Sequence, residues 1–144
     1  ALEQELENVR CYLEIEKFRL EESLTYRIDV EAAALGVPVP PLIVEPLVEN
    51  AVVHGVQRRS GGGTVRVMVR VTDALEVDVA DDGVGIPAER QATILTSASE
   101  HHVGLANIHQ RLLLLYGPDA GLRVESSDAG TRVRFRIPLG GRDA

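Results

Sequence analysis

Two runs of strict alternation, TVRVMVRV (64–71) and ALEVDVA (74–80), constrain this chain more than any other feature, because only Thr72 and Asp73 separate them. A period of two sends every second side chain to the same face of a strand. So short a link makes the two strands pair antiparallel as a hairpin. Valines fill one face and arginines and acids the other, so one face needs a covering layer and the other meets water. The second run then enters DDGVGIP (81–87). Two acids, followed by glycines with one residue between them, set a carboxylate at a strand end beside backbone that a flat ligand can approach closely. That arrangement points to a nucleotide site.

The rest of the chain supplies the covering layer. Leu2, Leu6, Val9 and Leu13, with Tyr12, Ile15 and Phe18, mark an amphipathic helix from Leu2 to about Leu20. SLTYRIDVE (23–31) alternates as a half-buried strand, and GVPVPP breaks the chain after it. LIVEPLVENAVVHGV (42–56) is apolar on more than one face and reads as a buried helix stopped by SGGG. Residues 88–103 have weak periodicity and read as a mobile segment, with a lid spanning about 87–103. GLANIHQRLLLLYG (104–117) is a helix with a glycine stop, and GLRVESS and TRVRFRIP form a last strand pair. This order predicts an α/β (α+β) two-layer sandwich, with helices on one face of a mixed, mostly antiparallel sheet. The arginine ladders Arg66/Arg70 and Arg132/Arg134/Arg136 alternate with core valines and read as the sheet's solvent face.

A chain of 144 residues fits one domain, divided here into a junction helix over 1–22 and a nucleotide-binding unit over 23–144. The net charge of -7 argues against a sequence-independent grip on nucleic acid. Cys11 is the single cysteine, which excludes an internal disulfide and suits a reducing cytosol. No apolar run reaches membrane-spanning length. The chain opens on Ala1 and holds Met68 as its one methionine, so it reads as a piece of a longer protein.

Three motifs stand in order: VENAVVHG (48–55) on the buried helix, DDGVGI (81–86) at the strand end, and VGLANIHQRL (103–112) opening the helix after the lid. They resemble the N, G1 and G2 boxes of the ATP-binding superfamily shared by DNA gyrase, the Hsp-ninety chaperones, histidine kinases and MutL. DAGTRVRFRIP (128–138) resembles its closing Gly-Thr strand, and YLEIEKFR (12–19) followed by PPLIVEPLVENAVVHG (40–55) is similar to the LytS-type sensor histidine kinases. Four boxes in order make the resemblance specific over nearly the whole chain.

The resemblance implies a Bergerat-type fold, ATP and Mg2+ as ligands, and a set of roles. Asp81 would accept a hydrogen bond from the exocyclic amine of adenine, which guanine does not offer at that position. Thr131 would complete this site through its hydroxyl or a bridging water. Gly83 and Gly85 would keep side chains out of the base pocket, and Ile86 and Leu105 would touch the ring. Asn50 would ligate a magnesium ion bridging the phosphates, with His54 one turn beyond it. Gly104 opens a helix whose N–H groups suit a phosphate tail. Arg111 reaches either phosphate or an acid on its own helix face. Each assignment has a plainer competitor: a turn for Asp81-Asp82-Gly83, a satisfied buried amide for Asn50, a packed core imidazole for His54. His101 and His102 read as solvated lid residues rather than metal ligands.

The superfamily members that hydrolyse ATP themselves, and the anti-sigma-factor serine kinases, carry a carboxylate four residues before the magnesium asparagine. Here that place is Pro46, flanked by Glu45 and Glu49, whose helical offsets point elsewhere. The resemblance therefore implies a histidine kinase catalytic domain that transfers the γ-phosphoryl of Mg-ATP to a histidine on a separate, homodimeric helical domain upstream of Ala1. No catalytic residue is expected in this stretch, and the phosphoryl would pass on to a response regulator receiver domain. No nucleic acid or direct membrane contact is expected of this domain. It would lie in the cytoplasm, the full-length protein being free or membrane-anchored. Two departures, Val53 where the family has Lys or Arg and His102 where the G2 box has its first glycine, keep two alternatives open. One is an inactive nucleotide-sensing or interaction domain; the other, an anti-sigma-factor-like serine kinase. Arg111 is the candidate to compensate for Val53.

Overall fold

The computed structural model describes residues 1–96 and 103–139. The two alternating runs form β2 (Gly63–Val71) and β3 (Ala74–Asp81), paired antiparallel with Val67 opposite Val79. Outside them lie β1 (Leu24–Val30), β4 (Arg123–Ser127) and β5 (Gly130–Pro138), in the sheet order β1-β2-β3-β5-β4. Among the described strands, only β1 and β2 run parallel. A parallel pair needs a crossover rather than a hairpin, and the helical segment between them supplies it.

One face of the sheet is apolar along most of its length: Val65, Val67, Val69, Leu75, Val77, Val79, Val133, Phe135 and Ile137 are at most 3% exposed. On the other face Arg132 pairs with Asp78, Arg134 with Glu125, and Arg136 with Glu76 and Asp73. Such exposed pairs contribute about 0–1 kcal/mol each, so this face is solvated rather than a source of stability.

Three helices cover the apolar face. In α1 (Leu2–Leu20), Leu2, Leu6, Val9 and Leu13 join the same core as the sheet valines. Ile15 and Phe18, counted above in the apolar stripe, are instead 65% and 88% exposed. Backbone bonds from Leu2 to Val37 and from Glu3 to Leu35 tie the start of α1 to the loop after β1. The buried helix begins later than the expected 42, as α2 (Glu45–Asn50), and continues through a π-helical turn over Ala51–Val56. Leu47, Val48, Ala51, Val52 and Val56 are nearly inaccessible, which explains why the segment is apolar around most of its circumference. A short helix, α3 (Ala88–Gln91), follows the DDGVGIP turn. Ile94 beyond it is 4% exposed, so this part of the expected lid is anchored in the core. The expectations for His101 and His102 lie outside the described residues. The last helix, α4 (Val103–Tyr116), packs against α2.

Candidate functional site

The alternation of β3 decides where its two terminal acids go. Asp82 turns to the hairpin side, where its Oδ1 accepts the Thr64 N–H at 2.6 Å and lies 3.7 Å from Arg59. Asp81 turns inward, 9% exposed, opposite Thr131 of β5, which is 6% exposed. The Gly83 N–H donates to Asp81 Oδ1 at 2.8 Å. Burial pushes the Asp81 carboxyl from 3.8 up to about 6, with Asp82 adding to the rise and N–H donation from Gly83 and Thr131 opposing it. It is therefore an ionised acceptor at neutral pH and a neutral acid below about 6.

The glycines around Asp81 serve close packing of backbone on backbone as much as an open pocket. A Cβ on Gly83 would stand 2.1 Å from the Gly55 carbonyl carbon, and one on Gly55 would stand 2.5 Å from Asp81 Oδ1. Gly85 has φ +80 and meets the Ser127 carbonyl in the same way. Glycine at 55 and 83 lets the π-turn of the α2 segment lie directly on the turn that follows β3, and glycine at 85 lets that turn lie against the end of β4.

Ser126 ties this turn to the sheet. Its Oγ accepts the Ile86 N–H at 2.7 Å, lies 2.8 Å from Thr131 Oγ1, and donates to the Gly130 carbonyl at 3.3 Å. The Gln91 amide donates to the Ile86 carbonyl at 2.7 Å, fixing α3 to the same turn. Neither Ser126 nor Gly55 stood among the expected site residues. Gly55 carried a signal, a glycine inside a helical motif, while a serine in a strand carries none.

The remaining expected residues fall into separate groups. Gly85, Ile86 and His54 line a cavity of about 860 Å3 together with Arg58, Arg90 and Gln91. Asp81 and Thr131 line a smaller one of about 360 Å3 with Ser126, and Ser127 borders both. Ile86 and Leu105 are 8% and 1% exposed and belong to the apolar core beneath. Asn50 closes α2, half-buried, and Gly104 at the head of α4 faces Pro46 one turn before it. The N-terminus of α4 thus stands beside the asparagine helix.

Arg111 departs from expectation. Its guanidinium donates to the Leu42 carbonyl at 2.8 Å and the Pro41 carbonyl at 2.7 Å, so it holds the turn before α2 rather than an acid on its own helix. Val53, for which it was the candidate to compensate, is 39% exposed. Arg58 and Arg90 are the cations lining the larger cavity.

Residues 41–141 match the family of histidine kinase-, DNA gyrase B- and HSP90-like ATPases. Among curated relatives, YwpD of Bacillus subtilis strain 168 is 37% identical over 142 residues, covering 96% of this chain and 50% of that protein. The sensor protein LytS of Enterococcus faecalis strain V583 is 36% identical over 142 residues, covering 94% of this chain and 24% of its own length. The chain thus spans between a quarter and a half of these relatives. The catalytic domain of histidine kinase ThkA, in a nucleotide-free form, shares the fold with a TM-score of 0.72 at 16% identity, covering 95% of this chain and 92% of that one. ThkA solved with the response regulator protein TrrA gives the same TM-score over 96% of this chain and 40% of that one. On the extent of the family match, the chain belongs to the histidine kinase-, DNA gyrase B- and HSP90-like ATPase family.

Proposed function

We propose that this domain binds Mg-ATP through Asp81 and Asn50 and, within its full-length protein, phosphorylates a histidine on an upstream helical domain of a homodimer. The observation that carries the reading is the buried Asp81 carboxylate, packed against Gly55 and registered opposite Thr131. A buried acceptor at a strand end, with no side chain over its glycines, selects a flat ring that carries an amine. Thr131, oriented by Ser126, supplies the second polar group. Among the described residues no cluster of three acids, histidines or cysteines gathers to hold a metal ion. Magnesium needs none where one protein oxygen joins phosphate and water oxygens, and Asn50 fits that limited role. When bound, Mg-ATP supplies the transferable phosphoryl group and the counter-charge to its oxygens. The domain contributes position and electrostatics.

Pro46 offers no base at the place where ATP-hydrolysing and serine-phosphorylating relatives carry one, and Glu49 is exposed. The phosphoryl group therefore goes to an acceptor outside this chain. A response regulator receiver domain would take the phosphoryl next, as the pairing of ThkA with TrrA supports. One observation favours a second reading, an inactive nucleotide-sensing module: Val53 leaves an exposed apolar side chain where the family has a cation. Incubating the full-length protein with γ-labelled ATP separates the two. Acid-labile, base-stable label on a histidine upstream of residue 1 supports the kinase; binding of ATP without label on the protein supports the sensing module.

A further inference from the structure

The turn that leads into α2 is gripped from both sides by side chains far away in sequence. Glu5 of α1, 5% exposed, accepts the backbone N–H groups of Leu42, Ile43, Val44 and Glu45 at 2.9–3.1 Å. Arg111 of α4 donates to the carbonyls of Pro41 and Leu42. Leu42 lies between them at φ +55, a conformation that side-chain-bearing residues rarely adopt. Both its N–H and its carbonyl are engaged by the clamp.

The arrangement answers what becomes of the unsatisfied N–H groups at the start of α2. Val44 makes no side-chain cap, Pro46 has no N–H, and Leu47 and Val48 already bond to the Val44 carbonyl. The four groups from Leu42 to Glu45 all converge on one carboxylate, which also stands at the favourable end of the helix dipole. The α-helical part is six residues, and even with the π-turn that continues it to Val56 the segment is of a length that is marginal in isolation, so its start gains from such support. Asn50 is the last residue of α2.

We propose that Glu5 and Arg111 are positioning residues for Asn50: the clamp on 41–45 sets the start of α2 and thereby places the asparagine toward the metal and phosphates. Glu5 lies outside the residues matched by the family model, so the family assignment does not supply this role. The inference rests on the reading of Asn50 as the magnesium-side residue. It predicts that the damage from breaking the clamp falls on the metal and phosphate end of the ligand and spares the base, which Asp81 and Thr131 hold from β3 and β5.

The test compares wild type, Glu5→Gln and Arg111→Lys. The glutamine keeps the shape but turns an amide toward four donors, and the lysine keeps the charge but cannot fork to two carbonyls. Titrations use adenosine and ATP, with and without magnesium, and amide hydrogen exchange over 47–56 is followed without nucleotide. In each variant exchange should rise, Mg-ATP affinity should fall about 10- to 100-fold as for other residues that orient a metal ligand, and adenosine binding should stay within about twofold. Equal losses for adenosine and Mg-ATP, or unchanged exchange with full Mg-ATP affinity, overturn the proposal. If wild type shows no magnesium-dependent binding, the reading of Asn50 fails. Exchange then decides the clamp alone, a rise supporting it and no change refuting it. If Glu5→Gln does not fold, Arg111→Lys carries the same comparison.

Discussion

Asp81→Asn should make the empty domain more stable while removing the acceptor proposed to select adenine. The carboxyl titrates near 3.8 when unfolded and about 6 when folded, mainly because burial disfavours the charge. An acid with a raised folded value binds its proton more tightly in the native state. Its contribution is therefore fully present below about 3.8 and is lost as pH rises through about 6. At about 1.4 kcal/mol per pH unit, the gap between 3.8 and about 6 corresponds to about 3 kcal/mol. Asparagine resembles the protonated acid at every pH, and its amide oxygen still accepts the Gly83 N–H. The variant should match wild type near pH 4 and exceed it by about 3 kcal/mol at pH 8. Urea unfolding at half-unit intervals from pH 4 to 8 measures the difference, and other titrating groups cancel because both proteins carry them. Parallel stability profiles for the two proteins, or a variant less stable than wild type at pH 8, would show that burial does not penalise the Asp81 charge.

Gly55→Ala places a Cβ 2.5 Å from Asp81 Oδ1; overpacking of this kind costs about 1–3 kcal/mol, and unchanged urea stability would contradict it. Ser126→Ala removes the acceptor for the Ile86 N–H and the partner of Thr131. Leaving those groups unsatisfied costs about 1–3 kcal/mol, and faster amide exchange at Ile86 is the local sign. His109 accepts the Leu122 N–H through Nδ1 at 3.0 Å, and burial lowers its pKa from 6.5. Its contribution is present above 6.5 and fades as pH falls through the lowered value, opposite in sign to Asp81. An NMR titration of the ring should give a midpoint below 6.5, and one above it would count against this packing.

Elements that rest on local pattern were legible in the sequence. The hairpin of β2 and β3 follows from alternation. The placement of Asp81 at a strand end followed from the DDGVG motif and the last strand pair from its own alternation, whereas the family resemblance alone put Thr131 beside Asp81, and the β3–β5 register that does so was not legible. What stayed hidden depends on contacts between distant residues. Nothing in EPLVEN announces that its cap comes from Glu5, because the four bonds join residues 37 to 40 positions apart. The same holds for Arg111, whose helix register allowed an acid partner while its reach across to Pro41 depends on how α4 lies against α2. The π-turn over Ala51–Val56 has no signature in a run that would also suit an ordinary helix. In α1 the apolar stripe was real, but Leu2, Leu6, Val9 and Leu13 enter the core and Tyr12 packs against it, while Ile15 and Phe18 are left exposed.

The proposed function stands on two roles, Asp81 selecting adenine and Asn50 serving the metal. Calorimetric titration of wild type with ATP and GTP, with and without magnesium, beside Asp81→Asn and Asn50→Ala, tests it most directly. With both roles in place, wild type should bind ATP and not GTP, Asp81→Asn should lose this binding, and Asn50→Ala should keep adenine recognition but lose the magnesium dependence. Equal binding of ATP and GTP by wild type, or undiminished ATP binding by Asp81→Asn, would contradict it.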